Sequence, residues 1–176
     1  MTPSKIAFTD FEMSGLDPLR HEIVEFGVVV ADAETLEVVA EMDKKVRMER
    51  PESADPESLV FLGYRDELWK DAISIREALE QYNALARGAL FAAWNTPFDW
   101  TFLAETYRRE GIKNPLDYHS LDVAGIAYEK LRHESDFTLK LTYACKRLGI
   151  EKEPMPHRAI NGARKVYEVY KKLRAL

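Results

Sequence analysis

Ile6-Ala7-Phe8-Thr9-Asp10-Phe11-Glu12 is the stretch on which the reading of this 176-residue chain turns. Side chains on a β-strand alternate between faces, so Ile6, Phe8, Asp10 and Glu12 share one side. Ile6 and Phe8 read as core. Asp10 and Glu12 then set two carboxylates side by side where the strand emerges, ahead of the turn Ser14-Gly15-Leu16-Asp17-Pro18. Like charges this close repel unless a cation lies between them or one stays protonated. Hard oxygen ligands on a rigid strand suit Mg²⁺ or Mn²⁺. The plainer alternative is a pair of acids solvated at a strand end, and the rest of the chain has to decide between the two.

Around that strand (4–12) the pattern predicts further elements. Residues 22–32, with Phe26-Gly27-Val28-Val29-Val30-Ala31, form a buried strand, and 36–46 a third, so the first three make an antiparallel meander. Pro51 and Pro56 among acids mark 48–58 as a loop. A helix over 74–87 has Ser74 as N-cap, and 89–94 is a fourth strand reached by a parallel crossover. Thr96 as N-cap and Pro97 in the first turn open a helix to Glu110. Helices over 121–131, 138–148 and 158–173 complete the chain. The expected class is an α/β mixed sheet flanked by helices, in one domain spanning 1–176.

A net charge of −5 carries no basic footprint of a sequence-reading DNA-binding module, yet permits an enzyme whose ions supply positive charge locally. The single cysteine, Cys145, excludes an internal disulfide and a multi-Cys zinc site, and its spacing from Leu141 and Leu148 puts it in the core. No apolar run reaches membrane-spanning length and no signal-peptide pattern opens the chain, so no membrane is expected and the cytoplasm is the expected compartment. Oligomeric state has no signature here.

Two more segments carry candidate chemistry. Asn95-Thr96-Pro97-Phe98-Asp99 follows the fourth strand, where an acid in a first helical turn also serves the helix dipole. His157 directly precedes the last helix, after Pro154-Met155-Pro156. The order Asp-x-Glu, Asn-x-x-x-Asp and His-x-Ala over nearly the whole chain resembles the DEDDh 3′→5′ exonucleases, a family of ribonuclease H-like fold that includes proofreading exonucleases and oligoribonucleases. Residues 12–18 look like the oligoribonuclease segment and 95–99 more like the proofreading branch. Leu62-Gly63-Tyr64, acidic residues and Leu68-Trp69 are similar to the segment between the first two family motifs.

The resemblance implies a reaction and its roles. Asp10, Glu12 and Asp99 would hold a pair of Mg²⁺ or Mn²⁺ ions, and His157 would be the general base toward the attacking water. Single-stranded DNA or RNA 3′ ends would yield nucleoside 5′-monophosphates. Main-chain N–H groups around Met13 and Ser14, with Leu16 against a base and Asn95 nearby, would hold the terminal nucleotide. Arg158, Arg164 and Lys165 are candidate phosphate contacts, or simply a solvated basic face.

One position breaks the pattern. The family's final motif is His-x-Ala-x-x-Asp, whereas this chain reads His157-Arg158-Ala159-Ile160-Asn161-Gly162. Glycine offers no side-chain ligand, and in a helix it costs about 1 kcal/mol relative to Ala. The adjacent Asn161 points about 100° away and is neutral. Three readings stay open: an exonuclease with weakened metal binding, a nuclease-fold protein that binds 3′ ends or a partner without cleaving, or a site completed by another acid such as Asp122 or Glu105. A phosphatase would want an Asp-x-Asp or a Gly-rich phosphate loop after the first strand, and neither is present.

Overall fold

A computed structural model describes residues 2–152 and 157–176, so the loop expected at Pro154-Met155-Pro156 lies outside the described residues. A five-stranded sheet in the order β3-β2-β1-β4-β5 forms its centre. Strands β1 (Lys5–Met13), β2 (Ile23–Asp32) and β3 (Val38–Lys45) make the expected antiparallel meander. Strand β4 (Leu90–Ala93) runs parallel to β1, as the crossover requires. Beyond it lies a strand the sequence reading missed, β5 (Ser120–Asp122), which is parallel to β4 and takes the start of the expected 121–131 helix.

Seven helices are present among the described residues: α1 (Pro56–Leu62), α2 (Asp66–Trp69), α3 (Ile75–Ala86), α4 (Thr96–Glu110), α5 (Val123–Leu131), α6 (Leu141–Arg147) and α7 (Ala159–Arg174). Helix α1 corrects the loop expected over 48–58, which also holds a 3-10 turn at Pro51–Ser53. Pro56 starts α1 at a position where the missing N–H costs nothing, and the Asp55 carboxylate accepts from Glu57 N. Ser74 caps α3 as expected. Thr96 does not cap α4: Asn95, in the left-handed region at φ 62, precedes the helix, and the Thr96 hydroxyl turns back to donate to Leu121 O at 2.8 Å.

Alternation along β1 sorts the core into two layers. Ala7 and Phe11 join Phe26, Val28, Phe91, Tyr82 and Phe102 beneath α3 and α4. Ile6 and Phe8 join Val29, Ala92, Cys145 and the apolar face of α7. Both layers cover β2, so every residue from Ile23 to Ala31 is buried; this is why it reads as a continuous apolar run.

Helix α7 lies unusually close to the sheet. A Cβ placed on Gly27 would stand 2.0 Å from the carbonyl carbon of Ala159, so only glycine lets the helix start rest there. Asp10 is the cross-strand partner of Gly27, so the same contact sets α7 over the carboxylate-bearing part of β1. Farther out, Arg109 donates to Pro18 O at 2.7 Å and to His21 O at 3.1 Å, holding the turn after β1. Glu105 orients that guanidinium at 2.9 Å and also pairs with Arg108.

Gly27→Ala should cost about 3 kcal/mol through overpacking, lowering Tm by about 6–12 °C; an unchanged melt would show that α7 does not rest on Gly27. The hydrogen bond from Arg108, with Arg109 adding to it, holds the Glu105 pKa at about 2, below its ordinary 4.5. Its contribution to stability is therefore complete above about pH 4.5 and lost as pH falls through about 2. Denaturant melts of wild type and Glu105→Gln should differ at pH 6 and converge near pH 2.

Candidate active site

Asp10 and Glu12 leave β1 on the face covered by α7, just before a register shift that re-aims the chain between Glu12 and Met13. Asp10 is half-buried and Glu12 buried, so they are not the solvated pair of the plainer alternative. Nε2 of His157 stands 3.0 Å from Glu12 Oε1. That carboxylate oxygen is buried, and among the described residues it has no hydrogen-bond donor. One ligand atom from each of Asp10, Glu12 and His157 falls within 4.8 Å of the others. Glu12 and His157 thus meet at the junction of a strand end and a helix start, 145 residues apart in sequence.

Asp99 is set apart from that group. It lies in the first turn of α4, 4% exposed, and its Oδ1 accepts the Phe11 N–H at 3.1 Å. Burial pushes its pKa up to about 7; the Phe11 N–H opposes this and the Glu12 charge adds to it. Asp99 therefore fastens α4 to the residue between the two strand carboxylates. Glu25, buried in β2 directly across from Glu12, was missed by the sequence reading. Burial raises its pKa although Arg158 Nε lies 2.5 Å away. The signal was a charge inside the apolar run Ile23-Val24-Glu25-Phe26.

A cleft of about 480 Å³ opens beside Glu12, lined in part by Met13, Leu16, Phe61 and Phe98. Leu16 is 74% and Phe61 72% exposed, which leaves both apolar faces available to a flat ligand. The Phe61 ring lies 6.0 Å from that of His157. Phe61 and Phe98 were not assigned from the sequence; Phe98 lies inside the segment Asn95–Asp99 singled out there, and Phe61 directly precedes Leu62-Gly63-Tyr64. Asn95 borders a separate hollow on the other side of Phe98.

Several residues given roles from the sequence have partners within the fold. The Ser14 N–H donates to Glu22 O at 2.8 Å and its hydroxyl accepts from Glu22 N at 2.9 Å, so that main-chain donor is occupied within the fold. Arg158 pairs with Glu25 and Asp43, Arg164 with Glu41, and Lys165 with Glu168, so these cations lace α7 to the sheet or to itself. Asp122 does not enter the site: its carboxylate accepts from Thr96 N at 3.0 Å and Gly125 N at 3.1 Å. Glu105 is held by its two arginines. Gly162 has a tighter neighbour than its lack of a side chain suggests, because a Cβ there would meet Asp10 Oδ2 at 2.1 Å and Cγ at 2.7 Å.

Comparisons with known proteins follow the same outline. Residues 7–170 match the RNase_T family model, described as an exonuclease. The DNA polymerase III PolC-type proteins of Caldanaerobacter subterraneus subsp. tengcongensis and Halalkalibacterium halodurans are 27% and 26% identical over 93% and 91% of this chain. The chain spans only 11% of the length of either relative. Among solved structures, the nuclease domain of 3′hExo, a DEDDh family member bound to rAMP, superposes with a TM-score of 0.77 at 19% identity, covering 98% of this chain and 92% of that one. E. coli exonuclease I in complex with a dA16 oligonucleotide gives 0.78 at 16% identity, covering 98% and 41%. The five-stranded mixed sheet flanked by helices is the ribonuclease H-like exonuclease fold of these neighbours. By the match over 7–170, the chain belongs to the RNase_T exonuclease family.

Proposed function

We propose that the protein is a divalent-metal-dependent 3′→5′ exonuclease that releases nucleoside 5′-monophosphates from single-stranded DNA or RNA. The observation that carries this reading is the meeting of Asp10, Glu12 and His157 within 4.8 Å, with Glu12 also lining the cleft. The donor set fits a hard cation, since Glu12 Oε1 is a buried carboxylate oxygen with no hydrogen bond among the described residues. Asp10 and Glu12 would hold Mg²⁺ or Mn²⁺, with Asp99 fixing the strand between them through Phe11. Such an ion supplies positive charge at the phosphate and acidifies water.

The chain's own groups account for the rest. Leu16, Phe61 and Phe98 offer apolar surface to the terminal base, and base–aromatic stacking is worth about 1–3 kcal/mol per base. Asp55 and Glu57 also line the cleft, so bare phosphates are repelled and a cation is needed to admit them. His157 is the group suited to take the proton of the attacking water near neutral pH. The paired ions that the resemblance implies would lack the carboxylate missing at Gly162. Low activity in Mg²⁺ is therefore expected, and Gly162 also favours a second reading in which 3′ ends are bound without cleavage.

A 5′-labelled single-stranded oligonucleotide, as DNA and as RNA, with Mg²⁺ or Mn²⁺, tests this directly. Wild type should produce a ladder from the 3′ end, and Asp10→Ala should lower the rate on the order of a hundredfold or more. His157→Gln should lose about 10²–10⁴-fold. A wild type silent on both substrates with either ion would overturn the exonuclease reading; cleavage by Gly162→Asp beside a silent wild type would replace it by the binding one.

A further inference from the structure

The turn that follows β1, from Ser14 to Glu22, is closed from several sides. Ser14 N donates to Glu22 O at 2.8 Å and Glu22 N to Ser14 Oγ at 2.9 Å, which shuts its base. Arg109 of α4 holds its far side through Pro18 O and His21 O. Inside the turn, the Asp17 carbonyl accepts from Arg20 N at 3.0 Å and His21 N at 2.8 Å, and its Oδ1 accepts from Leu19 N at 2.9 Å. The Asp17 N–H completes the set by donating to His21 Nδ1 at 2.9 Å. As an acceptor, that Nδ1 carries no proton. The same ring covers Gly15, where a Cβ would stand 2.5 Å from its Nδ1, Cε1 and Nε2 alike. His21 therefore packs on both neighbours of Leu16, Gly15 before it and Asp17 after it. Among the described residues, no hydrogen bond reaches the Leu16 main chain itself. Its side chain, 74% exposed, lines the cleft.

We infer that His21 is a positioning residue for nucleotide binding: by accepting the Asp17 N–H and covering Gly15, its imidazole holds Leu16 in place as a wall for the terminal base. The inference rests on the nucleotide-binding part of the reading above and deepens it by naming what orders that wall. His21 is not among the residues lining the cleft, so it acts through the turn and not by touching the ligand. An exposed leucine on a loose turn must be ordered when a base arrives, and the lost freedom weakens binding. A turn already closed around Leu16 avoids that loss. The contact of Leu16 with the base is the same before and during reaction, so its loss shows in KM and leaves kcat unchanged.

Three substitutions separate this role from a general loosening. His21→Asn keeps an acceptor where Nδ1 stands, two bonds from Cβ; His21→Gln moves it one bond outward, and His21→Ala removes it. Amide hydrogen exchange reads the Asp17 N–H, and calorimetric titration with deoxyadenosine 5′-monophosphate in Mn²⁺ reads affinity without requiring cleavage. Digestion of the labelled oligonucleotide reads KM and kcat separately. The Asp17 amide should be protected in wild type and His21→Asn and unprotected in the other two. His21→Ala and His21→Gln should bind the nucleotide about three- to tenfold more weakly and raise KM to match, with kcat unchanged and His21→Asn within about twofold of wild type. Equal affinity in wild type and His21→Ala, a loss in His21→Asn as large as in His21→Ala, or a fall confined to kcat would each overturn the inference. So would an unprotected Asp17 amide in the wild type, a result that depends on no variant folding. Wild type that binds the nucleotide without cleaving removes only the exonuclease reading, and the affinities of the variants still decide the role of His21. Wild type that binds no nucleotide overturns the inference.

Discussion

The contact between the start of α7 and the middle of β1 and β2 is the constraint on which the rest of the structure depends. Glycine occupies both sides of it, Gly27 on the sheet and Gly162 on the helix. Without a Cβ at either place the helix backbone settles against the strands, and His157 comes down over Glu12. Sequence alternation puts Asp10 and Glu12 on the face that α7 covers, and the Glu25–Arg158 pair holds the helix start in place. Burial of that ion pair adds little net stability, because desolvation cancels much of the attraction. Its contribution is register: Arg158 is fixed to β2 and β3, and His157, one residue earlier, is fixed with it.

The other helices divide the remaining work. Through Asp99, α4 grips the β1 backbone at Phe11. Through Arg109 it also holds the turn that carries Leu16 into the cleft. Helix α1 supplies Phe61 from the opposite wall. The candidate site is thus built where three elements end or begin, with Leu16, Phe61 and Phe98 and the acids Glu12, Asp55 and Glu57 lining its cleft. Under the proposed function, those acids disfavour a polyanion unless a cation is bound.

Much of this was legible in the sequence, and the misses have physical causes. Period-two alternation located β1 and its two carboxylates, and β2 declared itself by an unbroken apolar run. Strand β5 escaped because Ser120-Leu121-Asp122 is too short to show a period. Helix α1 escaped because Pro56 reads as a breaker, although at the first helical position it is compatible with the helix. The pairing of Arg158 and Arg164 was not legible because their partners Glu25, Asp43 and Glu41 lie more than a hundred residues earlier. Gly162 read only as a missing ligand. That its place is filled by the Asp10 carboxylate is a tertiary fact, invisible to any local pattern.

The close seating of α7 brings His157 over the Asp10 and Glu12 carboxylates, and the account holds that a divalent ion binds those two carboxylates. Anomalous diffraction at the manganese edge, from crystals grown with Mn²⁺, tests it most directly. The account predicts a strong peak at the Asp10 and Glu12 carboxylates. Absence of a peak there would contradict it.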